Sequence, residues 1–139
     1  MKKLSLLIAM GIACSVAIAK PALNVSQFET YSQQMQEMSA KYITAKQFDN
    51  ANKTIDAWLN SYNALSDKEK VSYNAVYSTI MYNRACACTQ RNEMYQALKS
   101  LKEAVKAGFV NKEQAQNDPN LSALKSYDEF NKILNSIKA

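Results

Sequence analysis

The stretch that decides the fold runs from Tyr82 to Phe109, YNRACACTQRNEMYQALKSLKEAVKAGF, and divides at Asn92 into two segments of helical period. Met81, Ala85 and Cys88 fall at i, i+4 and i+7 and share one face of the first helix, while Tyr82, Cys86, Thr89 and Gln90 occupy the next face round. After Asn92, read as an N-cap followed by Glu93, the positions Met94, Ala97, Leu98, Leu101, Ala104 and Val105 form a second apolar stripe. Gly108 stands where a left-handed residue is wanted to close that helix. Small side chains at Ala85, Ala97 and Ala104, set among bulkier Met81, Met94 and Leu101, let the two helices approach closely in antiparallel fashion.

Upstream of this hairpin, Ser66 and Glu69 read as a capping box that opens a long helix reaching Arg91, extended at its start by Val71, Tyr73, Ala75, Tyr77 and Ile80. Earlier still, a capping box at Ser26 and Glu29 begins a stripe of Phe28, Tyr31, Met35, Met38 and Tyr42 that continues to Thr44. Its partner is the stripe Phe48, Ala51, Ile55, Leu59 and Tyr62, beyond a polar turn at Lys46-Gln47. Aligning Ala51 with Ala97 makes this pair an earlier copy of the same hairpin, 46 residues away, with Trp58 where a small residue is expected.

Downstream, Asn111 with Gln114 caps a short helical turn, and Asp118-Pro119 interrupts the helix. Ser126 and Glu129 read as a third capping box before a last helix with Tyr127, Phe130, Ile133, Leu134 and Ile137 along one side, suited to covering the open end of the hairpins. With no strand-like alternation of useful length, the expected fold is all-α: antiparallel helical hairpins closed by a C-terminal capping helix. The expected domain spans 26–139, divided into a degenerate hairpin (26–65), the long helix with the second hairpin (66–108) and a capping segment (109–139).

Residues 1–19 are expected to be a cleavable leader. Met1-Lys2-Lys3 is a basic start, Leu4 to Val16 is an apolar run too short to span a bilayer, and Ala17-Ile18-Ala19 is a small-x-small cleavage site. Cleavage after Ala19 leaves an extended segment over 20–25 and no transmembrane segment, and directs the chain to the periplasm or the outside of a bacterial cell.

At 139 residues and 47% hydrophobic composition the chain makes one domain with a single core. The formal charge of +5 falls to +3 once Lys2 and Lys3 are removed, and the remaining lysines are scattered among acids, so no nucleic-acid footprint is present. There is no histidine, which removes the usual general base and the commonest zinc ligand. No Gly-x-Ser-x-Gly arrangement occurs, and Gly108, the one glycine beyond the leader, cannot build a phosphate loop. The expectation is a non-catalytic protein with no cofactor and no metal. Cys86-Ala87-Cys88 invites a metal or redox alternative, but residues two apart on a helix are separated by roughly 200 degrees, so the thiols diverge.

The run from Tyr82 through Ala85-Cys86, Ala97-Leu98, Leu101, Ala104-Val105 and Gly108-Phe109 into Asn117-Asp118-Pro119-Asn120-Leu121 resembles the closing repeat of bacterial exported tetratricopeptide-repeat proteins. Arg84 stands where that family usually has leucine, Asn92 replaces the usual turn glycine, and Phe109 ends the unit in place of proline. The resemblance implies hairpins stacked in an α-α superhelix whose first helices line a concave groove for a peptide or partner protein. The groove residues it implies here are Gln33 and Gln36 from the first hairpin and Tyr82, Cys86, Thr89 and Gln90 from the second, a polar and nearly uncharged face. Such a face suits amide hydrogen bonds and Tyr82 stacking, and it lacks the cationic cluster that captures a terminal carboxylate.

Overall fold

The computed structural model describes residues 24–137, so the expected leader over 1–19 and most of the 20–25 segment lie outside the described residues. Within them the regular structure is entirely helical: α1 (Val25–Thr44), α2 (Phe48–Asn63), α3 (Asp67–Val71), α4 (Asn74–Gln90), α5 (Met94–Lys106), α6 (Lys112–Asn117), a 3-10 segment (Pro119–Ser126) and α7 (Asp128–Ser136). The all-α class and the two antiparallel hairpins, α1 with α2 and α4 with α5, agree with the sequence reading.

The two hairpins turn by the same hydrogen bonds at the same 46-residue offset. Gln47 N–H donates to Tyr42 C=O at 2.8 Å and Lys46 N–H to Ile43 C=O at 2.9 Å; in the second hairpin Glu93 N–H donates to Cys88 C=O at 2.9 Å and Asn92 N–H to Thr89 C=O at 3.1 Å. This is the Schellman closure, which needs a left-handed residue just past the helix. Lys46 (φ 57°) and Asn92 (φ 60°) take that conformation. Asn92 is therefore the left-handed residue and not the expected N-cap, a position held by Glu93. Gly108 (φ 112°) closes α5 in the same way, with Phe109 N–H donating to Ala104 C=O at 2.9 Å.

Each hairpin also carries a serine at the helix crossing, with a different partner. In the second, Ser78 Oγ donates to the Ala104 carbonyl at 3.0 Å, a contact that requires a side chain as small as alanine. In the first, the residues at the same offset are Ser32 and Trp58, and the indole N–H donates to Ser32 Oγ at 2.9 Å. Trp58 is fully buried and belongs to an aromatic cluster with Phe28, Tyr62 and Tyr73. Its ring stacks on Tyr62 at 4.8 Å, and Phe28 meets Tyr73 edge-on at 4.7 Å. The indole thus fills the space that the alanine in the second hairpin leaves to the backbone.

α4 is the central element. Ala85 to Thr89 are all buried, and five consecutive residues cover more than one full turn, so every side of the helix is covered there. α5, α2, α1 and the 3-10 segment supply the covering. Arg84 extends from the central helix to Asp56 of α2, with Nη2 to Oδ1 at 3.1 Å. The C-terminal segment completes the core, Leu121 and Leu124 from the 3-10 segment that packs on α4 and Phe130, Ile133 and Leu134 from α7, which packs on α5.

Several expected boundaries move. α1 is capped by Asn24, whose side chain accepts from Gln27 N–H at 2.9 Å, so the box lies two residues before the expected Ser26–Glu29 pair. The Ser66–Glu69 box forms, but the helix it opens does not run unbroken to Arg91. It tightens at Ser72 and Tyr73, whose N–H groups donate to the carbonyls three residues back, because Tyr73 turns inward to pack on Phe28 and donate to Val25 C=O at 3.3 Å. The expected box at Ser126 and Glu129 is absent: α7 begins after Tyr127 without a side-chain cap, and Ser126, ending the 3-10 segment, donates back to Ala123 C=O.

Left-handed backbone disfavours a side chain with Cβ, and most strongly a β-branched one. Lys46→Gly and Asn92→Gly are each expected to raise stability by about 0.5–1 kcal/mol, and Lys46→Val to lower it, in urea denaturation followed by circular dichroism.

Candidate functional site

The candidate site lies along α4, where the sequence places its second group of groove residues. The structure seals most of them. Tyr82 is 5% exposed, Cys86 and Thr89 are 2% exposed, and Gln90 is exposed but engaged. The cause is the segment that follows α6, which lies across this face.

Asp118 is its anchor. One carboxylate oxygen, Oδ2, accepts the Tyr82 hydroxyl at 2.8 Å and the Cys86 thiol at 3.6 Å. The other, Oδ1, accepts the backbone N–H and side-chain amide of Asn120 at 2.8 and 3.0 Å. Gln90 Nε2 donates to the Asn120 carbonyl at 3.0 Å, and Thr89 turns its hydroxyl back to Ala85 C=O at 2.7 Å. The Tyr82 ring stacks on Phe109 at 4.6 Å with 16° between planes. The expected stacking surface of Tyr82 is thereby occupied from within the chain, and Cys86 and Thr89 do not line an open groove. Asp118 was legible only as a helix breaker, because no local signal links it to a tyrosine 36 residues earlier.

An open cleft of 380 Å³ remains beside this seal. Thr79 and Asn83 of α4 form one wall, and Phe109, Val110, Asn111 and Gln114 form the other, with Tyr82 at the base. None of its lining residues is charged. Asn83 is held by its donation to Ser39 Oγ of α1 at 3.0 Å, and Asn111 by accepting from Gln114 N–H at 2.9 Å. Gln33 is exposed and Gln36 half-buried on α1, and neither lines this cleft. The Asn111 and Gln114 spacing was readable as a helix cap, but its position opposite α4 depends on the chain reversing after Gly108.

The two thiols point to different neighbours, Cys86 to Asp118 and Cys88 to the side chain of Asn52 on α2. Burial, followed by the Asp118 charge, pushes the Cys86 thiol far above its ordinary range. Burial also raises Cys88, with Asn52 partly offsetting it. In both, burial disfavours the thiolate, the form that attacks and binds soft metals. Among the described residues no group of three or more Cys, Asp or Glu side chains could hold a metal ion. No helix among them is long and apolar enough to cross a membrane.

No protein-family model, curated protein or solved structure matches the chain.

The buried thiol and phenol couple folding to alkaline pH. Burial, the nearby Cys86 and Asp118 raise the Tyr82 phenol, so both groups keep protons in the folded chain that the unfolded chain releases. A raised folded value means stability is fully present below the unfolded pKa and is lost as pH rises through the window above it. The urea midpoint is expected to fall progressively above about pH 8.5, where an unfolded cysteine ionises, and more steeply above about pH 10, where tyrosine does. Cys86→Ala should lessen the first part of that decline, which Cys88 shares, and Tyr82→Phe the second, which Tyr62, Tyr73 and Tyr77 share.

Proposed function

We propose that the chain is a non-catalytic protein-interaction module of the bacterial cell envelope, built of tetratricopeptide-like hairpins and exported by its leader. The observation that carries this reading is the uncharged cleft between α4 and the Phe109–Gln114 segment. Carboxamides at Asn83, Asn111 and Gln114 offer both donors and acceptors, and an extended peptide presents the complementary alternation of N–H and C=O. Phe109 and Val110 add an apolar corner for one of its side chains. Without a cation in the lining, the cleft suits an internal, neutral segment of a partner protein and not a carboxylate terminus.

Two further observations support a binding role over catalysis. The cluster of the Cys86 thiol, the Tyr82 phenol and the half-buried Asp118 carboxylate is spent on holding the chain's own segment. Burial pushes its thiol well above the ordinary range, and the sequence has no histidine to act as base.

A photo-crosslinking residue at Val110, which is 69% exposed at the cleft rim, tests the reading in cells that make the protein. One recurrent partner is expected, and its isolated segment should bind the purified chain. Asn83→Ala combined with Gln114→Ala should weaken that binding about tenfold or more, with helical circular dichroism unchanged. Raising salt from about 0.05 to about 0.5 M should change it by less than about twofold, because neutral contacts are not screened. Binding unaffected by the double substitution, or lost with salt, would rule this cleft out.

A further inference from the structure

Of the apolar stripe expected to bury α1, Phe28 alone is fully buried; the other residues buried on this helix are Ser32 and Ser39, which accept from Trp58 and Asn83. The rest of the stripe lies beside that face. Tyr31, Met35, Met38 and Tyr42 fall within about 60° of one another on a helix that turns by roughly 100° per residue. Tyr31 and Met35 rest by one side on the aromatic cluster, whereas Met38 and Tyr42 belong to neither core cluster. Met38 is 40% exposed and the other three are half-buried. A helical array needs a polar outer face at each end. α7 supplies one with exposed Asp128, Asn131, Lys132 and Asn135, but α1, at the other end, presents thioethers and phenols.

The spacing of this row points to its occupant. Steps of four, three and four residues make it read the same from either end: tyrosine, methionine, methionine, tyrosine, symmetric about the midpoint between Gln36 and Glu37. A two-fold axis relating identical helices makes each contact twice, residue i on j and j on i. Placed at that midpoint in an antiparallel pair, it sets Tyr31 against Tyr42 and Met35 against Met38 of the second copy, so every large side chain meets its own kind. The charges agree with this register. Lys41 is the charged residue that borders the row, and the axis holds its two copies about 13 Å apart along the helices, with Gln34 of the second copy opposite to accept from the ammonium. Glu29 and Glu37 lie on other faces of α1.

We propose that α1 pairs antiparallel with α1 of a second copy of this chain through Tyr31, Met35, Met38 and Tyr42. Methionine suits such a seam, because its flexible thioether fills irregular gaps and packs favourably against aromatic edges. The row shares no residue with the cleft lined by Asn83, Asn111 and Gln114, so the pairing stands or falls apart from the peptide-binding reading.

The test is sedimentation equilibrium of the purified chain from about 5 to about 500 µM, since mass action makes a dimer depend on concentration. A monomer–dimer equilibrium is expected. Met38→Glu, which puts like charges beside the two-fold axis, should weaken it about tenfold or more with helical circular dichroism unchanged. Tyr42→Glu, farther along the row, serves if that variant fails to fold, and Ala40→Glu, exposed on the opposite side of α1, should leave the dimer unchanged. A short bifunctional maleimide reads the register, the native Cys86 and Cys88 being buried. Chains carrying Tyr31→Cys mixed with chains carrying Tyr42→Cys should cross-link, whereas either alone, with like positions about 16 Å apart along the helices, should not. A dimer indifferent to Met38→Glu, or cross-linking of a single variant as strong as that of the mixture, would overturn the proposal. So would a chain that stays monomeric throughout, which would leave the row to a different protein.

Discussion

The close approach of α4 and α5 is the contact on which the remaining structure depends. Ser78 can reach the Ala104 carbonyl only because residue 104 has no side chain beyond Cβ, and the fully buried Ala85 and Ala97 permit the same proximity along the crossing. With α5 seated so tightly, α4 still has three sides to cover, and α1, α2 and the 3-10 segment take them. A helix buried all round has no amphipathic pattern, and Ala85 to Thr89 include small, polar and sulfur side chains accordingly. Thr89 is satisfied by its own helix, Cys88 by Asn52, and Tyr82 and Cys86 by Asp118, while Arg84 Nε is buried without a partner.

That enclosure decides which surface stays open. The face of α4 that a stacked hairpin would leave for a partner is taken by the Asp118–Asn120 segment, and the open surface moves to the two ends of this contact. One lies where the chain reverses after Gly108 and is lined by neutral amides; another lies where α3 is inserted and is lined by Lys70, Lys106 and Glu103 with phenols and amides. The first hairpin stabilises the arrangement differently from the second. It replaces close helix contact by an aromatic cluster around Trp58, and Tyr77 and Leu59 join that cluster to the core of the second hairpin.

Much of this was legible in the residues. The stripes from Phe28 to Tyr62 and from Met94 to Val105 predict the helices, the 46-residue copy predicts the equivalent turns, and Gly108 sits where left-handed backbone occurs. The errors have a common cause. Ser26, Asn92 and Ser126 are all residue types that cap helices, and which of several candidates does so depends on packing several residues away. The break at Tyr73 was hidden because its reason is Phe28, in another helix. The groove assignment placed Tyr82, Cys86 and Thr89 on one face of α4, but a face read from helical period carries no information on what covers it.

By itself the sequence determined the all-helical class, the two antiparallel hairpins, the divergence of Cys86 from Cys88 and the lack of a histidine base, because each follows from period or composition. Only the tertiary structure decided that Asp118 holds Tyr82 and Cys86, that Asn83 faces Asn111 and Gln114 across an open cleft, and that Lys70 stands over Tyr62. The physical reason is that these contacts join segments with no local coupling. Their geometry is set by how closely alanine lets α5 approach α4, and by the direction in which the chain leaves the left-handed residue at Gly108.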